Sequence, residues 1–156
     1  MNIAVFASGR GTNFSAIIRA AKLGKIKANL SLLVCDNPKA GAIGRARRAR
    51  IKLAQVKREE FATKKDFEAK IFEHLEENKI DIIVLAGFMR ILGPALIQKY
   101  NGRILNIHPA LLPCFKGTEG IKDAFDYGVK VTGVTVHFVD EVMDHGPIIL
   151  QAPVKI

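Results

Sequence analysis

The sequence predicts an α/β fold, an open, mostly parallel, twisted sheet with helices on both faces, in which the last strands can turn antiparallel. Three observations carry this. Short runs rich in Val, Ile and Leu alternate along the chain with segments of helical periodicity, the pattern of parallel strands joined by crossover helices. The run from Ile80 to Ala86 is almost continuously apolar, as a strand covered on both faces must be. The first strand-like run leads into Ser8-Gly9-Arg10-Gly11, a glycine turn that opens a helix.

Taken in order, Asn2 to Ala7 is a short apolar strand. The segment Asn13 to Leu23 sets Phe14, Ile17, Ile18 and Ala21 on one side of a helix. Strand and helix then repeat: Asn29 to Cys35, Gly41 to Arg50, Ile51 to Val56, Lys64 to Asn78 and Ile80 to Ala86. A helix around Pro94 to Tyr100 precedes a strand at Arg103 to Ile107. A Pro-rich loop runs on to Gly117, a helix spans roughly Ile121 to Tyr127, and two final strands cover Val131 to Val139 and Pro147 to Val154. No repeat, low-complexity tract or linker divides residues 1–156, so a single domain is expected, at a length that can bury a core of its own.

Composition limits the function classes. No apolar stretch approaches the roughly 20 residues of a membrane helix, and Met1 leads straight into a strand-like run, so a soluble cytoplasmic protein without membrane contact is expected. Cys35 and Cys114 lie far apart without partners at zinc-ligand spacing and read as free thiols. The net charge of +9 is lopsided, with 16 Lys/Arg against five Asp/Glu in residues 1–70 and eight against ten in residues 71–156. The N-terminal half therefore attracts anions, whether a phosphorylated metabolite, an anionic cofactor tail or nucleic acid. The basic run Arg45 to Lys52 carries the apolar stripe Ala42, Ile43, Ala46 and Ala49. It reads as an amphipathic helix with a solvated basic face rather than a nucleic-acid site, since no aromatics are interleaved for stacking.

In open parallel sheets, ligands bind beyond the carboxyl ends of the strands, where the first strand-to-helix turn offers backbone N–H groups to phosphate. Ser8 to Asn13 is such a turn, although a tight turn with an Asn cap explains the same residues. A dinucleotide reading would use Gly9, Gly11 and Asp36, but Phe14 stands where that fingerprint needs a third small residue.

The stretch Asn106-Ile107-His108-Pro109-Ala110-Leu111-Leu112-Pro113 is the most informative. Strand alternation puts Asn106 and His108 on one side, near the strand's carboxyl end. An amide that donates to an oxyanion and an imidazole that moves a proton near neutral pH suit acyl transfer. A capping Asn and a hydrogen-bonded His explain the pair equally well. Either Pro109 or Pro113 can be preceded by a cis bond.

These residues, with Leu85-Ala86-Gly87-Phe88-Met89-Arg90-Ile91-Leu92 upstream and Asp144-His145-Gly146-Pro147-Ile148-Ile149 downstream, resemble the folate-dependent formyltransferases. The turn Gly9-Arg10-Gly11-Thr12-Asn13 is similar to that of their glycinamide ribonucleotide branch. The resemblance implies a catalytic triad of Asn106, His108 and Asp144. Asn106 and His108 would stabilise a tetrahedral intermediate, while the Asp144 carboxylate favours the cationic imidazole and holds a water that removes the amine's proton. It implies phosphate binding by Gly11, Thr12 and Asn13, and folate binding by Lys64, Met89, Arg90, Ile91, Leu92, Asn106, Asp140 and Glu141. His137 and Gly117 stand in a second rank near the site.

The co-substrate so implied is 10-formyltetrahydrofolate and the acceptor phosphoribosylglycinamide, with no metal, no covalent nucleophile and no nucleic-acid partner; a homo-oligomer is left open. For Leu92, core packing at a strand end is the competing explanation.

Several positions depart from the family pattern. Lys64 stands where Arg is more usual, Glu119 where a His is expected, and His145 where the family often has a small residue. Neither His74 nor His145 is assigned a catalytic role. The family implies a further helix beyond Ile156 with substrate contacts, which these 156 residues do not include. Formyltetrahydrofolate hydrolases share the chemistry but resemble it with an N-terminal regulatory domain, and methionyl-tRNA formyltransferases add a C-terminal nucleic-acid domain. The ribonucleotide is therefore the expected acceptor, the hydrolase the enzyme alternative, and a non-catalytic nucleotide- or RNA-binding module the alternative from another class.

Overall fold

The computed structural model describes all 156 residues, Met1 to Ile156. In chain order the elements are β1 (Asn2–Phe6), α1 (Thr12–Lys22), β2 (Asn29–Cys35), α2 (Gly41–Ala49), β3 (Lys52–Gln55), α3 (Lys64–Glu77), β4 (Ile82–Leu85), α4 (Pro94–Lys99), β5 (Ile104–His108), α5 (Gly120–Tyr127), β6 (Val131–Phe138) and β7 (Ile148–Lys155), with a 3₁₀ turn at Arg58–Glu60. All seven strands form one sheet in the order β3-β2-β1-β4-β5-β6-β7. The first five run parallel, while β6 pairs antiparallel with β5 and β7 antiparallel with β6. The expected fold class and every expected element are present.

Boundaries moved where local hydrogen bonding decides them. The apolar run from Ile80 contributes only Ile82–Leu85 to β4, because the Ile80 N–H closes the end of α3 on the Leu75 carbonyl. α3 begins cleanly: the Thr63 side chain accepts from the Asp66 N–H at 3.1 Å and returns its hydroxyl to the Asp66 carboxylate, which satisfies an otherwise free first-turn amide. α5 has eight residues, about 12 Å of helix.

Strand alternation sorts the core into two layers. Ala4, Phe6, Leu32, Val34 and Ile83 face Phe67, Ile71 and Leu75 of α3 and Leu96 of α4. Val5, Leu33 and Cys35 point the other way, toward Phe14 of α1 and Ala42, Ile43 and Ala46 of α2. Each fully buried Leu, Ile or Phe contributes about 1.5–3 kcal/mol. The basic run in α2 behaves as its stripe predicts, burying Ala42, Ile43 and Ala46 and turning Arg47 and Arg48 to solvent. Arg45 instead reaches back, donating to the Arg10 carbonyl and to Ser15 Oγ, and so pins α2 to the glycine turn.

β1 lies between β2 and β4, so the strand order reverses beside it and leaves a crevice beyond its carboxyl end. The loops after β1 and β4 are stitched together there: the Ser8 N–H donates to the Gly87 carbonyl, and the Met89 N–H to Ser8 Oγ, both at 2.9 Å. At the other edge of the sheet, all eight residues of β7 are exposed, including Ile148, Ile149 and Leu150. No helix is long and apolar enough to cross a membrane.

Candidate active site

A cavity of about 260 Å³ opens at the carboxyl ends of β4 and β5 and is lined on another side by the β6–β7 connection. Its wall includes Asn13, Met89 to Leu92, Asn106, His108, Gly117, His137 and Asp140 to Asp144. Most of the residues expected at the site therefore share one cavity, although they come from five separate stretches of chain.

β5 and β6 fix the placement of Asn106 and His108. In their antiparallel ladder Asn106 pairs with His137 and His108 with Thr135, so the two β5 side chains project toward one cavity with β6 partners beside them. His137 is buried and its Nδ1 lies 2.8 Å from the Phe138 carbonyl. A carbonyl only accepts, so Nδ1 carries the proton and Nε2 is left to accept from Asn106 Nδ2 at 3.1 Å. That contact dictates which end of the Asn106 amide is NH₂. The second Asn106 N–H points at Asp144 Oδ1 across 3.4 Å, a long contact that a substrate atom can replace.

His108 is equally constrained. Its Nε2 lies 2.8 Å from the Phe115 carbonyl and must donate to it, which leaves Nδ1 as the nitrogen 3.5 Å from Asp144 Oδ2. Asp144 in turn accepts from the Gly117 N–H at 2.8 Å and lies 3.6 Å from His137 Nε2. Asp144 and Phe115 both occupy the left-handed region, with φ of 51° each, unusual for side-chain-bearing residues and concentrated where they aim groups at His108. Tertiary contacts hold both in place, and Asp144 meets the β5 residues from the β6–β7 connection.

The loop after His108 is braced by groups that sequence reasoning missed. Thr135 Oγ1, fully buried, donates to the Ala110 carbonyl and accepts from the Leu112 N–H, while Gln151 Nε2 donates to the Leu112 carbonyl and to Thr135 Oγ1. The Leu112–Pro113 bond is cis. The Phe115 carbonyl carries no signal in its residue type. Thr135 did carry one, since strand alternation puts it on the face of His137.

Several expected residues sit apart from the cavity wall. Gly11 is buried at φ 72°, where a Cβ would come within 2.8 Å of Ala42 Cα and Cβ, so the close approach of α1 and α2 already requires a glycine there. Thr12 is exposed at the first position of α1, whose cap supplies no side-chain acceptor. Only Asn13 of this group reaches the wall. Lys64 also stands outside it, exposed at the start of α3 with Nζ 3.6 Å from Glu68. Glu68 itself accepts from the Gly93 N–H at 2.7 Å and so ties α3 to the loop after β4.

Within that loop Met89 and Ile91 are exposed, while Leu92 does double duty, packing in the core and lining the cavity. Arg90 Nε lies 2.7 Å from Asp36 Oδ2, so the carboxylate considered for a ribose hydroxyl is committed to an ion pair across the crevice. Phe14 fills the core where a dinucleotide fingerprint needs space. Glu119 is exposed at the N-terminal cap of α5, and His74 pairs loosely with Glu77. No group of three or more His, Cys, Asp or Glu side chains is arranged to hold a metal ion.

An amide and an imidazole on one strand, held beside a carboxylate and a second imidazole beneath an apolar pocket, are groups suited to acyl transfer. Comparison with known proteins agrees: the chain belongs to the formyl transferase family, whose profile matches residues 1–156. It is 47% identical over 153 residues to the phosphoribosylglycinamide formyltransferase of Bacillus subtilis (strain 168), an alignment covering 98% of this chain and 78% of that protein. It is 41% identical over 154 residues to the trifunctional purine biosynthetic protein adenosine-3 of Homo sapiens, covering 99% of this chain and 15% of that much longer one. The crystal structure of glycinamide ribonucleotide transformylase 1 from Geobacillus kaustophilus superposes with a TM-score of 0.96 at 50% identity, covering 99% of this chain and 82% of that one.

Proposed function

We propose that this protein transfers the formyl group of 10-formyltetrahydrofolate to the amine of 5'-phosphoribosylglycinamide, a step of purine biosynthesis. The observation that carries the chemistry is the arrangement of Asn106, His108 and Asp144 on one cavity, with His108 Nε2 held by the Phe115 carbonyl and Nδ1 turned toward Asp144 at 3.5 Å. The names of the relatives support the choice of acceptor.

The cavity fits the donor's flat heterocycle. Met89, Ile91, Leu92, Val139 and Val142 supply apolar walls, and Arg90, Asn106, Asp140 and Glu141 add polar groups at their edges. Lys64, outside the wall, would meet only the anionic tail of the donor as it leaves the cavity. At the opposite end, the first-turn N–H groups of α1 at Thr12 and Asn13, together with the close-packed Gly11, would take the acceptor's phosphate, which the helix dipole favours.

The reaction then runs through this chain's own groups. The acceptor's neutral amine attacks the formyl carbon and a C–N bond forms. The carbonyl oxygen becomes an oxyanion that takes the second Asn106 N–H, replacing the long contact to Asp144, and, with His108 in its imidazolium form, the Nδ1–H as it turns from Asp144 Oδ2. His137 keeps Asn106 turned with its NH₂ toward the oxyanion. A water at Asp144 accepts the amine's proton. Collapse of the tetrahedral centre breaks the C–N bond to the folate N10, which leaves with the proton that the water at Asp144 passes on.

The test is a product assay with 10-formyltetrahydrofolate in the presence and absence of phosphoribosylglycinamide. Formylated ribonucleotide, formed faster than formate is released, is expected. Formate release that ignores the ribonucleotide would instead assign a hydrolase.

A further inference from the structure

We propose that His145 is a positioning residue for the formyl donor, clasping Asp140 so that the Asp140–Asp144 segment keeps the shape of the cavity wall. This rests on the reading of that wall as the donor site.

The β6–β7 connection is closed at its base, where the Phe138 N–H donates to the Pro147 carbonyl at 2.9 Å. Gly146 packs there against the Phe138 carbonyl so closely that a Cβ would collide with it. Between these ends, the Asp140 carboxylate organises the segment with both oxygens. Oδ1 accepts from the Val142 N–H at 2.9 Å, and Oδ2 meets His145 Nδ1 at 3.0 Å. A ring of six residues, Asp140 to His145, is thereby drawn shut, and its inner members Glu141, Val142, Met143 and Asp144 all line the cavity.

The hydrogen bond from His145 is the main reason the Asp140 carboxyl lies below its ordinary range, with the Val142 N–H adding a smaller effect in the same direction. His145 itself is exposed and stands at the rim, where it touches no reacting group. Asp144 is anchored separately, by the Gly117 N–H and Asn106. Opening the clasp therefore loosens the donor wall while leaving the reacting carboxylate tethered.

The consequence is a split between donor binding and turnover. His145→Gly removes the clasp, and His145→Asn restores a donor close to the position of Nδ1. For an exposed pair the expected effect is about a two- to fivefold rise, in His145→Gly, of the KM for 10-formyltetrahydrofolate and of the Kd for tetrahydrofolate measured by calorimetry. In the same variant kcat stays within about twofold, amide exchange at Val142 quickens, and His145→Asn returns all of these toward wild type.

Unchanged folate affinity in His145→Gly overturns the proposal whatever happens to Val142 exchange, as does a fall in kcat at constant KM. Wild-type protein that binds no tetrahydrofolate overturns the donor reading itself, a result distinct from an unaltered variant.

Discussion

Asn106 and His137 face each other across the β5–β6 ladder, with Asn106 Nδ2 3.1 Å from His137 Nε2. Because His137 Nδ1 is committed to the Phe138 carbonyl, this contact decides which way the Asn106 amide points. His137→Ala frees the amide to rotate, and the N–H aimed at the oxyanion is lost part of the time. A fall in kcat of about tenfold, roughly 1.4 kcal/mol, with an unchanged KM for the donor, is expected from steady-state kinetics.

Gly120 supports His108 in a similarly indirect way. A Cβ there would stand 2.9 Å from the Phe115 oxygen and 3.2 Å from His108 Nε2, so one must move. Gly120→Ala should therefore disrupt the His108–Phe115 hydrogen bond and lower kcat by about tenfold, and because Gly120 is buried the overpacking should lower the thermal unfolding midpoint as well. Equal activity in this variant would show that the Phe115 carbonyl does not hold the ring.

How much of this was legible beforehand follows from where each signal resides. Periodicity is local, so the strands, the helices and the shared side of Asn106 and His108 could be read from neighbouring residues. Asp144 could not: an acidic residue in a loop is unremarkable, and only resemblance to a family singled it out. Phe115 acts through its backbone and is invisible to any argument from residue type. The pairing of Asp36 with Arg90 joins residues 54 apart in the chain and needs the strand order to be known. Gly11 was expected at a phosphate, and the contact it makes with Ala42 shows a packing demand that a turn motif alone cannot reveal.

The Asp36–Arg90 pair is asymmetric, which gives a stability prediction. Asp36 is buried, with Oδ1 lacking any partner, whereas Arg90 is half exposed. Removing Arg90 strands a buried charge. Arg90→Ala should cost about 2–3 kcal/mol in urea denaturation, and Asp36→Asn less than about 1 kcal/mol, since the freed guanidinium returns to water. The reverse order would mean that Asp36 draws its stabilisation from elsewhere.

The two thiols should separate in both reactivity and pH response. Burial pushes the Cys35 thiol above its usual range, with a backbone hydrogen bond of Asn37 opposing the shift and Asp36 adding to it, while Cys114 is exposed. A disulfide reagent should label Cys114 promptly and Cys35 only as the protein opens. A thiol raised in the fold contributes stability that is intact below its unfolded pKa of about 8.5 and is lost as pH rises through the folded value. Cys35→Ala should accordingly flatten the decline in stability above that pH, as followed by urea midpoints.

The most direct test of the account is single-turnover formyl transfer to phosphoribosylglycinamide by wild type and His108→Ala at saturating donor. Loss of a preorganised donor to the oxyanion predicts a rate about 100- to 1000-fold lower with tetrahydrofolate binding retained. A variant that transfers formyl at the wild-type rate would contradict the assignment of His108, and with it the reacting centre built on Asn106 and Asp144.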